Sequence, residues 1–172
     1  IAVHPAFQGS TPMILFVGKV GTDFVEREAF QEIDYRRMFG QMAKWVAEID
    51  DARRIPEFIS RAFYTATSGR PGPVVVDIPK DIQFAKGVYS KPKDFPHTGY
   101  KPKVKGDLDK IKQAVELMAH AKRPLFYTGG GVVNSGKAAS DLLRELVKLT
   151  GFPITSTLMG LGAFPSADPQ WM

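Results

Sequence analysis

Cysteine is absent from all 172 residues. That excludes disulfide frameworks, thiolate zinc sites, iron–sulfur clusters and thiol nucleophiles. Histidine is scarce, and His4, His97 and His120 lie too far apart in sequence for metal-ligand spacing. No apolar run approaches the roughly 20 residues that span a bilayer, and no leader-like stretch opens the chain. Internal repeats and low-complexity tracts are missing as well. These absences lead to the expectation of a reducing, cytoplasmic setting. What is present, 44% hydrophobic and 24% charged residues, suits a globular protein long enough to bury a core without staples.

The net charge of +5 has a single source. Between Lys86 and Lys112 there are eight lysines and three aspartates, while the rest of the chain balances. A nucleic-acid or membrane patch would interleave arginine with aromatics. Here the lysines alternate with Pro and Gly, which reads as a solvated linker, so neither nucleic acid nor membrane is expected as a partner.

Strand and helix patterns alternate on both sides of that linker. A helix is expected over residues 1–8. Pro12–Val17 is a short continuous apolar run closed by Gly18, which predicts a strand buried on both faces. Ala29–Phe39 reads as a short helix and Trp45–Ala47 as a strand. Asp50 and Asp51 offer N-caps to a helix with Ile55, Ile59, Ala62, Phe63 and Ala66 inward, stopped by Gly69. Pro73–Ile78 is a second buried strand, rich in β-branched residues and closed by Pro79. After residues 83–106, which lack periodicity and carry Pro92, Pro96 and Pro102, the alternation resumes. Asp107 caps a helix with Leu108, Ile111, Val115 and Met118 on one stripe. Pro124–Thr128 is a strand, Gly129–Gly131 a tight turn, and Ser135-Gly136 leads into a helix with Leu142, Leu143, Leu146 and Val147 inward, ended by Gly151. Pro153–Ser156 is the last strand. Helices between short buried strands imply α/β architecture with parallel sheets. The expected organisation is 1–82 as one domain part, 83–106 as interdomain linker and 107–172 as another domain part.

Chemistry is harder to read from spacing. Gly131 to Ala138 is one residue short of a phosphate-binding P-loop, since Ala138 stands where a metal-binding hydroxyl is needed. The dinucleotide fingerprint fails at Asn134. The glycines at a strand–helix junction still free backbone N–H groups for an anion, and a plain tight turn is the alternative. Lys80 and Asp81 follow a strand's carboxyl end, where α/β proteins bind ligands, or they form ordinary surface. Arg70, between glycine and proline, is an anion or flavin partner or a simple surface arginine. Glu32 near a helix start opposes the macrodipole. Phe30 and Gln31, and the Gly-punctuated run Thr157-Leu158-Met159-Gly160-Leu161-Gly162, have no distinctive reading by spacing. There is no Ser/His/Asp set, catalytic carboxylate pair or metal site.

Five motifs taken together do more. Ala29-Phe30-Gln31-Glu32, Lys44-Trp45, Gly69-Arg70-Pro71-Gly72-Pro73 running on to Pro79-Lys80-Asp81, Gly129-Gly130-Gly131-Val-Val-Asn134-Ser135-Gly136, and Thr157 to Gly162 resemble the acetohydroxyacid (acetolactate) synthase group of thiamine-diphosphate enzymes, in order and in spacing. The resemblance covers essentially the whole chain. It implies that residues 1–82 are the carboxyl-terminal half of a pyrimidine-binding domain and that 107–172 open a central, FAD-binding-type domain. It also implies decarboxylation of pyruvate and condensation of the hydroxyethyl unit with a second 2-oxo acid, on the way to valine, leucine and isoleucine.

By the same resemblance, Phe30 and Gln31 line the active site across a dimer interface, and Lys80 lies in the channel to the thiazolium. Arg70, Gly129, Gly130, Gly131, Thr157, Leu158 and Met159 contact FAD. Thiamine diphosphate and Mg²⁺ complete the cofactors. A homodimer or homotetramer, and a regulatory small subunit, are the implied partners. The family's catalytic glutamate is expected upstream of Ile1 and its Gly-Asp-Gly segment downstream of Met172, so the chain reads as an internal piece. It departs from the group at Gly18-Lys19-Val20, where the synthases read Gly-Gln-Val. Val17–Met42 is closer to thiamine-diphosphate relatives known broadly as synthase-like. Enzymes of glyoxylate carboligase, oxalyl-CoA decarboxylase or sulfoacetaldehyde acetyltransferase type are the alternatives within the superfamily. Outside it, the alternative is a non-catalytic flavin- or nucleotide-binding module.

Overall fold

The computed structural model describes residues 1–89, 97 and 99–172. The chain divides into two compact units, Ile1–Val104 and Lys105–Met172. The first holds helix α1 (Val3–Gln8), strand β1 (Met13–Lys19), helix α2 (Tyr35–Phe39), strand β2 (Trp45–Glu48), helix α3 (Ile55–Thr67), strand β3 (Pro73–Pro79) and helix α4 (Lys80–Phe84). The second holds α5 (Leu108–His120), β4 (Phe126–Thr128), α6 (Gly130–Asn134), α7 (Lys137–Thr150) and β5 (Ile154–Ser156). Both sheets are parallel, as expected, with order β1-β3-β2 in the first unit and β4-β5 in the second.

In the first unit β3 is central, pairing with β1 from Met13↔Pro73 to Lys19↔Pro79 and with β2 from Trp45↔Val74 to Glu48↔Asp77. Its three consecutive valines are fully buried. Val74 and Val76 face Phe58, Ala62 and Ala66 of α3, while Val75 packs with Val3 of α1 and Phe39 of α2 on the other face. A strand covered on both sides reads as a continuous apolar run, and β3 does. β1 was expected to be buried in the same way. It occupies the sheet edge instead, with Phe16 exposed, and it runs on through Gly18 because Gly18 and Lys19 still find partners on β3.

Several local expectations shift. Asp51 caps a single turn over residues 52–54, where Arg53 N–H donates to its carboxylate at 2.8 Å, and α3 begins only afterwards. The inward face of α3 carries Phe58, Ala62 and Ala66 with Ile55 packed beside them, Phe58 stacked on Trp45, and Phe63 points outward. Helix α2 starts at Tyr35 rather than Ala29, capped by Asp34 through the Arg37 N–H. In the second unit Asp107 and Gly151 bound α5 and α7 as expected, Gly151 in the left-handed conformation. However, α5 buries no side chain, and Leu142 of α7 is exposed while Val147 is buried.

Of the expected linker, Pro92 and Pro96 lie outside the described residues. Residues 83–84 belong to α4. His97 and Tyr100 belong to the first unit: His97 stacks on Tyr64, and the Tyr64 hydroxyl donates to the Tyr100 carbonyl at 3.0 Å.

Two features carry the first unit's stability. Val75→Ala removes buried methyls packed against α1 and α2 and is expected to cost about 2 kcal/mol. Lys44 donates to the carbonyls of Thr65 and Ser68 at the end of α3, and burial lowers its pKa. Lys44→Ala leaves two helix-end carbonyls without that donor, at about 1–3 kcal/mol. Urea unfolding followed through the Trp45 indole signal measures both.

Candidate active site

Parallel pairing brings the carboxyl ends of β1, β2 and β3 to one edge, the edge at which α/β sheets bind ligands. Three loops leave from it. The loop after β1 is tied down by Asp81 of α4, whose carboxylate accepts from the Thr22 N–H at 3.0 Å and from the Thr22 hydroxyl at 2.7 Å. These two bonds hold the Asp81 pKa below its ordinary value. Asp81 is thus a structural tether rather than a free pocket group, and it fixes where Lys80, the first residue of α4, projects from the end of β3. Lys80 itself is exposed.

Residues 26–32 form a small closed loop. The Glu32 carboxylate accepts the N–H groups of Glu26 and Ala29, which lowers its pKa. Glu32 therefore organises a loop instead of opening a helix. Inside the loop Glu26, Glu28 and Gln31 adopt φ of 63°, 55° and 64°. Left-handed conformations at three non-glycine residues in six positions cost energy, and such strain concentrates at functional sites. The loop presents Phe30 with 86% of its surface exposed, next to the strained Gln31. Both sequence-chosen residues therefore share one rigidly closed loop at the strand-end edge, and Lys80 leaves from the same edge.

Behind that loop lies a cleft of about 320 Å³ whose lining includes Lys19, Glu32, Asp34, Tyr35, Glu48 and Asp77. Lys19 approaches Glu48 at 2.6 Å and Asp77 at 3.8 Å. Burial works against the Lys19 charge, but Glu48 and then Asp77 outweigh it and raise its pKa. Glu48 was not singled out from sequence. Its signal is the alternation Val17-x-Lys19, Val46-x-Glu48 and Val75-x-Asp77, which puts a charge on the same face at the end of each strand.

In the second unit β4 and β5 also end together, with Thr157 N–H donating to the Thr128 carbonyl at 2.8 Å. The Gly129–Gly131 junction and the Thr157–Met159 loop meet there. A Cβ on Gly160 would lie 2.8 Å from the Thr128 carbonyl oxygen and 3.0 Å from Gly129 Cα; one on Gly130 would lie 3.1 Å from the Met159 carbonyl. Only glycine permits this approach. Leu158 and Met159 remain exposed beside it. The expected tight turn is a short helix, α6, and Lys137 pairs with Asp141 at 2.6 Å, so no P-loop lysine reaches toward the junction. Arg70 belongs to the first unit, where it donates to the Ser10 hydroxyl at 2.7 Å and the Gln8 carbonyl at 3.1 Å. Among the described residues no group of three or more acidic or histidine side chains is arranged to hold a metal ion, and no helix is long and apolar enough to cross a membrane.

Gly160→Ala is expected to push the two loops apart, costing about 1–3 kcal/mol in the second unit. Faster amide exchange at Thr157, with the first unit unchanged, is the measurement that checks it.

Comparison with known proteins extends this geometry. Residues 111–172 match the family model for the thiamine pyrophosphate enzyme central domain. The chain is 41% identical over 170 residues to an acetolactate synthase large subunit of Methanocaldococcus jannaschii, covering 97% of this chain and 28% of that protein. It is 39% identical over 163 residues to the acetolactate synthase large subunit of Corynebacterium glutamicum, covering 95% and 26%. To the chloroplastic acetolactate synthase 1 of Zea mays it is 41% identical over 174 residues, covering 98% and 26%. A solved structure from Mycobacterium smegmatis, a candidate thiamin diphosphate-dependent enzyme, superposes with a TM-score of 0.78 at 23% identity, covering 99% of this chain and 32% of that one; it shares the fold. The chain thus spans about a quarter of the length of the curated relatives it matches. Its residues 111–172 are similar to the thiamine pyrophosphate enzyme central domain, and almost its whole length is similar to acetolactate synthase large subunits.

Proposed function

We propose that this chain forms part of an acetolactate synthase, which decarboxylates pyruvate and condenses the resulting two-carbon unit with a second 2-oxo acid in branched-chain amino acid biosynthesis. The observation that carries this reading is the similarity across both units, 41% over 174 aligned positions with the maize enzyme. The first unit adds a suitable surface, a strained loop with exposed Phe30 and Gln31 at the carboxyl edge of a parallel sheet.

Thiamine diphosphate supplies the electron sink for loss of CO₂ from a 2-oxo acid. No residue of this chain is assigned to hold its diphosphate or the accompanying Mg²⁺. The chain's own contribution is to surround the substrate. Phe30 gives an apolar wall that excludes water, and the Gln31 carboxamide offers a donor and an acceptor to a keto or hydroxyl oxygen. Lys80, fixed by the tether through Asp81, supplies a positive charge toward a substrate carboxylate. A second copy of the chain would bring these groups to the active site across the dimer, and a regulatory small subunit would bind the whole enzyme.

The second unit suits FAD. The backbones of Gly129–Gly131 and Thr157–Met159 converge without intervening side chains, leaving Leu158 and Met159 free to lie against a flat ring. Gly131 has open space where a Cβ would project, so Gly131→Ala burdens a bound flavin and not the fold.

A segment exchange tests the reading. The 172 residues replace their counterpart in the Corynebacterium glutamicum large subunit, and acetolactate formation from pyruvate is measured alongside bound flavin. The exchanged enzyme is expected to form acetolactate. Phe30→Ala and Lys80→Met are each expected to lower kcat/KM by about tenfold or more, and Gly131→Ala to reduce retained flavin with unchanged thermal stability. A folded exchange protein that binds thiamine diphosphate yet makes no acetolactate overturns the proposal.

A further inference from the structure

The charges that close the first unit's sheet do not balance. Lys19 ends β1, Glu48 ends β2 and Asp77 sits near the end of β3, all on the face covered by α1 and α2, because Glu48 pairs with Asp77 and Lys19 lies two residues beyond Val17, the partner of Asp77. The Asp77 side chain is 3% exposed and that of Lys19 10%. Lys19 Nζ is 2.6 Å from Glu48 Oε2 and 3.8 Å from Asp77 Oδ2, while Asp77 Oδ1 is buried without a hydrogen-bond partner. Two carboxylates and one ammonium thus meet at the floor of the cleft, where Glu48 is 28% exposed while Asp77 and Lys19 are largely shielded from water. With both acids ionised, an unpaired negative charge sits in low dielectric, which is costly.

The surrounding groups relieve it only in part, Arg36 of α2 favouring ionised Asp77 but more weakly than Lys19 does. From the loop before α2, the Glu32 carboxylate is occupied by backbone N–H groups and Asp34 caps α2. Glu26 adds further negative charge to the cleft, and Arg36 of α2 also lines it. A single proton resolves the arrangement. Held on Asp77, it removes the uncompensated charge, leaves Glu48 ionised against Lys19 and makes the three-group cluster neutral.

We propose that Asp77 and Glu48 share one proton beneath Lys19, forming a proton-dependent clasp that joins the carboxyl ends of β1, β2 and β3 under the cleft. Burial first, and the neighbouring Glu48 second, raise the Asp77 pKa to about 6 against the opposing effect of Lys19. The folded chain therefore keeps a proton that the unfolded chain, with an ordinary aspartate, releases near pH 4. The stabilisation is complete below that pH, declines as pH rises and is gone once pH passes about 6. Acids whose pKa is lowered, such as Asp51 at about 2, are ionised in both states over most of that window and do not mask the trend.

The test follows the side-chain carboxyl carbons of Asp77 and Glu48 by NMR in the 172-residue chain from pH 3 to 9. Both signals are expected to move together with a midpoint near 6, as coupled sites do. Over pH 4 to 7 the unfolding constant of the first unit is expected to rise about a hundredfold. In Glu48→Gln the proton affinity of Asp77 is expected to fall at least tenfold, because Lys19 then pairs with Asp77 alone. Asp77→Asn, whose amide donates in the proton's place, is expected to be stable and flat over the same range, whereas Asp77→Ala is destabilised throughout. An Asp77 midpoint in the ordinary aspartate range overturns the proposal. So does a midpoint left unchanged in Glu48→Gln, which would mean burial alone. Both readings stand even where Asp77→Asn does not fold.

Discussion

Everything in the first unit depends on β3 lying between β1 and β2 in parallel. A central strand must bury both faces, and Pro73–Pro79 meets that demand with consecutive valines that need no hydrogen-bonding partner for their side chains. Burying each valine contributes on the order of 2 kcal/mol. Parallel pairing then forces the three strands to finish at one edge, so the loop after β1, the turn after β2 and helix α4 all depart from the same place. The site is a consequence of that pairing, since none of these segments is close to another in sequence.

The same constraint explains why charge is found where the sheet is otherwise apolar. Side chains alternate with a period of two, so the last inward positions of Val17-x-Lys19, Val46-x-Glu48 and Val75-x-Asp77 stay on the core face even as the strands reach the rim. Hydrophobic residues there would close the edge and stabilise the fold. Charged residues leave a cleft and a cluster that must settle its own protonation. Strain in the Glu26–Gln31 loop is a second local cost at the same edge. Both costs fall where a ligand would approach, and the well-packed valines supply the stability that offsets them.

Much of the fold was legible from periodicity. The apolar runs marked β1, β3, β4 and β5, and Asp107 and Gly151 bounded α5 and α7 as their chemistry requires. The failures have particular causes. Helix α2 starts late because the Glu32 carboxylate prefers the N–H groups of Glu26 and Ala29, a local polar competition that hydrophobic spacing does not register. On α3, Ile55, Ala62 and Ala66 face the core as expected, but Phe58 joins them and Phe63 is exposed. Edge and central strands look alike in sequence, so β1 seemed as buried as β3. For the site, Phe30 and Gln31 had no distinguishing spacing and were named only through family resemblance, since left-handed backbone at non-glycine residues leaves no sequence mark. Glu48 becomes visible only when the register of β2 against β3 is known.

The two units solve one topological problem with different materials. In each, parallel strands end together and the chain must turn away without filling the edge. The first unit uses charges, a tether from Asp81 and a loop closed by Glu32, which leaves a polar edge. The second uses glycine, so that the backbone after β4 meets the loop after β5 at van der Waals distance and only Leu158 and Met159 stand out. A surface of bare amides beside two apolar side chains suits a large planar group better than a small acid: the amides can meet its polar rim and the side chains its flat face.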